Sequence, residues 1–382
     1  MRAYLDNAAS TPMYLESVEA MLPYLTQYFG NPSAIHHHGR ILRAAIENSR
    51  KNIAQLLHCA PAEIVFTSGG TEADNMALCG CVYSLHVKHI ITTKLEHHAV
   101  IYTAEKLAKR SGIKITYLSV DEFGNISLEE LKNTLEKCSE KTLVSLMHAN
   151  NEIGTLHDIA AIGSCCKEFG ALFHSDTVQT IGHFSLNLSN LPVDFVAASA
   201  HKFGGPKGVG FLFRKNQSAV EPLLYGGSQE RNQRAGTENV AGIVGMAAAL
   251  EHSLRNIEEH TKHLNNLKQY FKEKLTQQIQ EVQFNGNQQV GCSAATILSV
   301  VFPGSDPESM LLYNLDTHGI SASGGSACTS GSNAGSHVLR AMNCSEIRVG
   351  NSIRFSFSPL TTIEEIDYTI SILTKLHQEA FV

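Results

Sequence analysis

From about residue 60 the chain alternates short apolar, β-branched runs with longer amphipathic ones, and this rhythm constrains its fold more than any other feature. EIVFTS is followed by TEADNMALCGCVYSL, HIITTK by AVIYTAEKLAKRSG, and KITYLS by SLEELKNTLEKC. The pattern continues through TLVSLMHAN, IAAIGSCCKEFG, ALFHSD and VDFVAASAH. Strands separated by helices read as α/β units on a mostly parallel sheet, because a parallel pair needs a crossover between its strands. GVGFLFR follows PKG too closely for a helical crossover, so it is expected as a strand added antiparallel. After Arg231 the texture changes to a long helix-like run, NVAGIVGMAAALEHSLRNIEEHTKHLNNLKQYFKEKL. Strands ATILSVVF and SIRFSFSP and a closing amphipathic helix, IEEIDYTISILTKLHQEA, complete what reads as a second, smaller α+β domain.

Composition narrows the function. With 382 residues, 43% of them hydrophobic and 17% charged, the chain can bury ample core, and two domains are expected. A formal net charge of −6 argues against nucleic-acid binding, which needs a clustered basic excess. No apolar run reaches the roughly 18–20 residues of a membrane span, and MRAYLDNAAS has neither the basic start nor the apolar centre of a signal peptide. A cytoplasmic enzyme is the expectation. The nine cysteines form no CxxC pair and are too dilute for a disulfide framework, so a reducing compartment is expected and structural zinc is not. Cys79, Cys81, Cys165 and Cys166 fall in helix-like apolar stretches and read as packing residues. His36, His37 and His38 read as a solvated turn rather than a metal site, since no carboxylate or cysteine stands beside them at ligand spacing.

Ligands of an open parallel sheet gather at the carboxyl ends of its strands. There the chain places TSGGTEADN after EIVF, Glu96-His97-His98 after HIITTK, Asn150-Asn151-Glu152 after TLVSLMHA, Asp176 and Gln179 after ALFHS, and His201-Lys202 after VDFVAAS. Each has an ordinary structural reading: a tight turn, a helix cap, a core histidine, a surface lysine. Together they contain the parts of a pyridoxal phosphate site. These are an amine for the cofactor aldehyde, a carboxylate for its ring nitrogen, an imidazole to stack on the ring, and a helix N-terminus for the phosphate.

SASGGSACTSGSNAGSHVL, residues 321–339, carries Cys328 among glycines and small hydroxyl residues with almost nothing to pack. That setting keeps a thiol accessible, so Cys328 is a candidate for chemistry rather than core.

YLDNAASTP, GNPSAIHHHGR, FTSGGTEADN, NNEIGT, HSDTVQ, SAHKFGGPKGVG, QERNQRAGTEN and SGGSACTSGS occur in that order. In this the chain resembles the class V pyridoxal phosphate-dependent family, and within it the cysteine desulfurases of the NifS/IscS type. The SACTSGS form is similar to the long-loop group rather than the group with a short RxGHHC segment. The resemblance implies PLP fold type I: a large domain, 15–255, with a mostly parallel seven-stranded sheet, and a small α+β domain made of 1–14 with 256–382. It also implies a homodimer. Carried across by motif, Lys202 is the Schiff-base lysine, Asp176 the partner of the pyridine nitrogen and His97 the stacking ring. Gly70, Thr71, Ser199 and His201 hold the phosphate, Gln179 lies near the phenolic oxygen, and Thr237 serves the other subunit's site. Asn151 and Arg354 bind the substrate carboxylate, a task suited to a planar guanidinium, whose alternative is a structural salt bridge.

The implied reaction converts L-cysteine to L-alanine and leaves the sulfur as a persulfide on Cys328. From there it passes to an acceptor such as an iron–sulfur scaffold or a tRNA-thiolation protein. The only metal contact expected is a passing one between Cys328 and a partner's iron–sulfur cluster. Two alternatives use the same parts: a selenocysteine lyase, which does not need the loop thiol, and a non-catalytic sulfur carrier or assembly module.

Overall fold

A computed structural model describes residues 1–215, 220–304, 310–324 and 335–380. Its strands are β1 (Ala3–Tyr4), β2 (Ile64–Thr67), β3 (His89–Thr92), β4 (Lys114–Tyr117), β5 (Thr142–Ser145), β6 (Leu172–Asp176) and β7 (Phe195–Ser199). They continue with β8 (Gly210–Arg214), β9 (Gln283–Asn285), β10 (Ile297–Val301), β11 (Ile320–Ser321) and β12 (Ser352–Ser356). Among the described residues seven strands form the main sheet, in the order β2-β8-β7-β6-β5-β3-β4. Every pairing from β7 to β4 is parallel. Only β8 runs the other way, antiparallel to both β7 and β2, as the short link after PKG required.

The central positions of the strands are apolar on both sides because the sheet is covered on both faces. Phe66, Ile91, Val144, Val196 and Phe211 belong to one core, and their chain neighbours Val65, Ile90, Leu143, Phe195 and Leu212 belong to another. This is the period-two alternation of a strand, with each side chain sent to the face opposite its neighbour. The covering helices begin and end on local signals. Asp158 accepts from Ala160 and Ala161 N–H at 3.0 Å to cap Ile159–Glu168, and Ser127 caps Leu128–Glu136. Gly112, at φ 64°, closes His98–Ser111 in the left-handed region that glycine tolerates. Cys81 and Cys166 are buried in these helices, as their apolar settings suggested.

Two expectations are refined. The histidine run is not a free turn: His36 caps helix His37–Leu56, its Nδ1 accepting from Gly39 N–H, and no metal-holding cluster occurs among the described residues. The long run after Arg231 is two helices, Val240–Arg255 and Ile257–Gln278, separated at Asn256 with φ −105° and ψ 17°. The break has a packing cause. Val240, Ile243, Met246 and Leu250 join the core on one face of the main sheet, whereas Leu264, Leu267, Phe271 and Leu275 enter another core. That core also holds Ala3 and Leu5 and is built on the antiparallel sheet β12-β10-β9 with helix Ile363–Ala380. There Phe271 sets its ring edge-on to Phe355, at 5.1 Å between centroids.

Candidate active site

Strands β2, β3, β5, β6 and β7 point their carboxyl ends toward one cavity of about 210 Å³. After β2, Gly69 (φ 153°) turns the chain into helix Gly70–Tyr83, so Gly70 and Thr71 bring unpaired backbone N–H groups to the cavity wall. A Cβ on Gly70 would lie 2.6 Å from Cγ2 of Val178, so only glycine allows this close approach. After β3, His97 caps the next helix, its Nδ1 accepting from Ala99 N–H at 3.1 Å. Burial first, then Lys202 and His337, push its pKa down to about 4, so the ring is neutral at ordinary pH.

β6 ends on Asp176, whose carboxylate accepts from Val178 N–H at 2.9 Å. Burial raises it to about 6, against the pull of that N–H and of Lys202. β7 ends on Ser199 and passes into a single 3-10 turn, Ala200–Lys202, which sends His201 and Lys202 to the same cavity. Gln179 and Asn151 complete the wall, and Asn151 Oδ1 is buried without a hydrogen-bond partner. From β12 comes Arg354, 2% exposed. Its Nη1 donates to Asn151 O at 2.8 Å and its Nη2 to Asp6 Oδ1 at 2.7 Å, while Nε has no partner. Arg354 therefore makes the salt bridge held open as an alternative and also faces the cavity.

Thr237 lies elsewhere, in a separate small cavity with Thr67, Ser68 and Glu230. Cys328 lies outside the described residues. Its described flanks are tied to site residues: Ser323 Oγ donates to Asp6 at 2.9 Å, and Ser336 Oγ donates to the buried carboxylate of Glu152.

Five cavity-lining residues had no role in the sequence reading, Met147 of TLVSLMHAN among them. Ala8 and Ala9 bring their carbonyl oxygens to 2.5 Å and 2.9 Å from Lys202 Nζ, and Ala8 O also accepts from Gln179 Nε2 at 3.0 Å. The segment carrying them is pinned on its far side by Ser356, whose hydroxyl accepts from Ala8 N–H at 2.8 Å. Asp74 and Val178 lie within quoted motifs but had no assigned task. A buried acid in a helix that follows a glycine turn was the available signal for Asp74; backbone carbonyls leave none.

A mostly parallel sheet with an amine, a buried acid, a neutral imidazole and a helix N-terminus at its strand ends defines an α/β enzyme of PLP fold type I. The chain belongs to the aminotransferase class-V family, whose model matches residues 3–369. It is 45% identical over 375 residues to "Cysteine desulfurase IscS" of Dictyoglomus turgidum, covering 98% of this chain and 94% of that one. Among solved structures it resembles a "NifS-like protein" with TM-score 0.91 and 34% identity, covering 100% of both chains. It also resembles "SspA in complex with cysteine" with TM-score 0.82 and 30% identity, covering 94% of this chain and 100% of that one.

Proposed function

We propose that the protein is a pyridoxal phosphate-dependent cysteine desulfurase, converting L-cysteine to L-alanine and passing the sulfur to Cys328. The observation that carries this reading is the meeting of Lys202, Asp176, His97 and the Gly70–Thr71 helix end in one cavity. The residues fit the cofactor: the wall at Gly70 is too tight for a Cβ, as a phosphate cradle needs, and the buried Asn151 Oδ1 awaits a polar partner. When bound, the group supplies an aldehyde for an amine and a ring that draws electrons from the substrate Cα.

Lys202 Nζ takes the proton from Cα and returns one to carbon after sulfur has left. Asp176 would keep negative charge for the ring nitrogen, and His97, a neutral imidazole, would stack on the ring. Gly70, Thr71, Ser199 and His201 would hold the phosphate. Arg354 binds the substrate carboxylate and Asn151 orients it, Asp6 keeping the guanidinium in place from behind. The Cys328 thiolate attacks the substrate sulfur; an S–S bond forms as the Cβ–S bond breaks, and the electron pair stays with carbon, which takes a proton. Sulfur is thereby oxidised to the persulfide level and carbon reduced to the methyl group of alanine.

In the same reading residues 15–255 form the cofactor domain, and residues 1–14 with 256–382 form the small one. The change of hydrophobic core at Asn256 supports this division. A homodimer is supported by the exposed apolar residues Leu15, Leu22 and Leu25 of helix Leu15–Thr26, beside exposed Phe29. Thr237 then serves the second copy's phosphate. The sulfur acceptor is an iron–sulfur scaffold or a tRNA-thiolation protein, and the compartment is the cytoplasm, which suits described cysteines that are all free. Among the described residues no helix is long and apolar enough to cross a membrane.

The test is to supply L-cysteine and measure alanine and sulfide. Stoichiometric alanine, with an absorbance band near roughly 400–420 nm that Lys202→Ala lacks, supports the reading. No alanine from protein carrying that band contradicts it.

A further inference from the structure

Asp74 lines the cavity beside Asp176, yet none of the roles above uses it. It belongs to helix Gly70–Tyr83 and is 1% exposed. Its Oδ1 lies 3.3 Å from Nε2 of His174, and neither atom has a hydrogen-bond partner. His174 precedes Asp176 by two residues on β6, so both side chains leave the same face of the strand. Nδ1 of His174 is 2.9 Å from Ser145 Oγ on β5. An acid at the cavity is thus backed by a fully buried imidazole and hydroxyl, next to a second acid.

Two carboxylates in a dry site do not both ionise when a proton is available to one of them. Asp176 accepts the Val178 N–H and faces Lys202, both of which favour its charged form. Asp74 faces His174, Asp176 and Glu96. Burial keeps the His174 ring neutral, pushing it down to about 3, so it offers no cation. Glu96 is itself an acid, held well above its usual range mainly by burial. Burial, then Asp176 and Glu96, hold Asp74 well above the ordinary carboxylate range.

We propose that Asp74 is a positioning residue that carries the one proton kept by the Asp74–Asp176 pair, with His174 and Ser145 backing it, so that the negative charge stays on Asp176. The inference rests on the reading in which Asp176 meets the ring nitrogen of pyridoxal phosphate. A neutral acid at residue 74 leaves Asp176 as the single anion of the pair and packs the space beneath it without adding a second charge.

The experiment is infrared spectroscopy of the holoenzyme labelled with 13C at its aspartate carboxyls, near neutral pH, which separates Asp74 from Glu96. The expected result is a protonated-carboxyl band that Asp74→Asn removes and Asp176→Asn leaves. Absence of the band from the wild type, its survival in Asp74→Asn, or its loss in Asp176→Asn alone overturns the proposal. Cofactor retention on dialysis gives a second readout, because an amide imitates a neutral acid. Asp74→Asn should hold pyridoxal phosphate within about threefold of wild type, and Asp74→Ala should weaken it about tenfold. Equal loss in both variants contradicts a neutral Asp74. Failure of the wild type to bind pyridoxal phosphate would instead overturn the cofactor reading and would show as a missing absorbance band.

Discussion

The Nζ of Lys202 donates to the carbonyl oxygen of Ala8 at 2.5 Å, joining the end of β7 to a segment 194 residues earlier in the chain. Ala9 O accepts from the same amine at 2.9 Å, so the N-terminal segment forms a wall of the site. Lys202→Ala should abolish the absorbance near roughly 400–420 nm and lower alanine formation by at least about a thousandfold. A spectrum of wild type and variant, both reconstituted with pyridoxal phosphate, checks this. An unchanged band in the variant contradicts the assignment of the amine.

The contact between Gly70 and Val178 sets a steric prediction. Gly70→Ala drives a methyl group to 2.6 Å from a stiff β-branched side chain, which should cost about 1–3 kcal/mol and weaken pyridoxal phosphate binding. Val178→Ala should restore part of the loss when combined with it, because the two positions touch. Cofactor affinity across the four-member cycle is the measurement, and strict additivity would contradict the clash.

The sheet was legible because its order follows from strand pattern and connection length. Leu143 and Val144 are neighbours sent to opposite faces, and both faces are covered, so both are apolar. Asp176 and Lys202 were legible as candidates because strand ends are where such a sheet collects ligands, whereas Ser199 came only from the family resemblance. The Ala8 and Ala9 carbonyls were not, since any residue type can supply a backbone oxygen. Pattern alone did not show the break at Asn256, since helical periodicity runs through it; the resemblance implied a domain boundary there, and the two cores account for the turn of the axis. Arg354 was read as either carboxylate ligand or salt bridge, and it stands between Asp6 and the cavity in a way that serves both.

Arg354 therefore divides binding from stability. Arg354→Lys keeps a cation near Asp6 but loses the planar fork, and should raise KM for L-cysteine by about tenfold with a smaller change in kcat. Arg354→Ala leaves Asp6 with the Ser323 hydroxyl but no cation and should lower the unfolding midpoint as well. Steady-state kinetics beside a urea titration distinguishes the two effects; a Lys variant with unchanged KM contradicts the carboxylate role.

Acid should destabilise the fold in part through the half-buried His148, whose Nδ1 lies 3.0 Å from Thr180 Oγ1. Burial, then His157, push it from 6.5 down to about 4. Between those values the unfolded chain binds a proton that the folded chain refuses. The stability from burying the neutral ring is thus complete above pH 6.5 and is lost as pH falls toward 4. His148→Gln should flatten the dependence of the urea midpoint on pH in that window. A slope equal to that of the wild type contradicts the assignment.

The central claim is that sulfur leaves L-cysteine onto this chain's own thiol. Incubating the holoenzyme with L-cysteine, digesting it without reductant and locating added mass by peptide mass spectrometry tests it most directly. The account predicts the mass of one or more sulfur atoms on the peptide containing Cys328, and none there in Cys328→Ala, whose alanine production falls with it. Alanine formed at the wild-type rate by Cys328→Ala, or added sulfur confined to another cysteine, would contradict it.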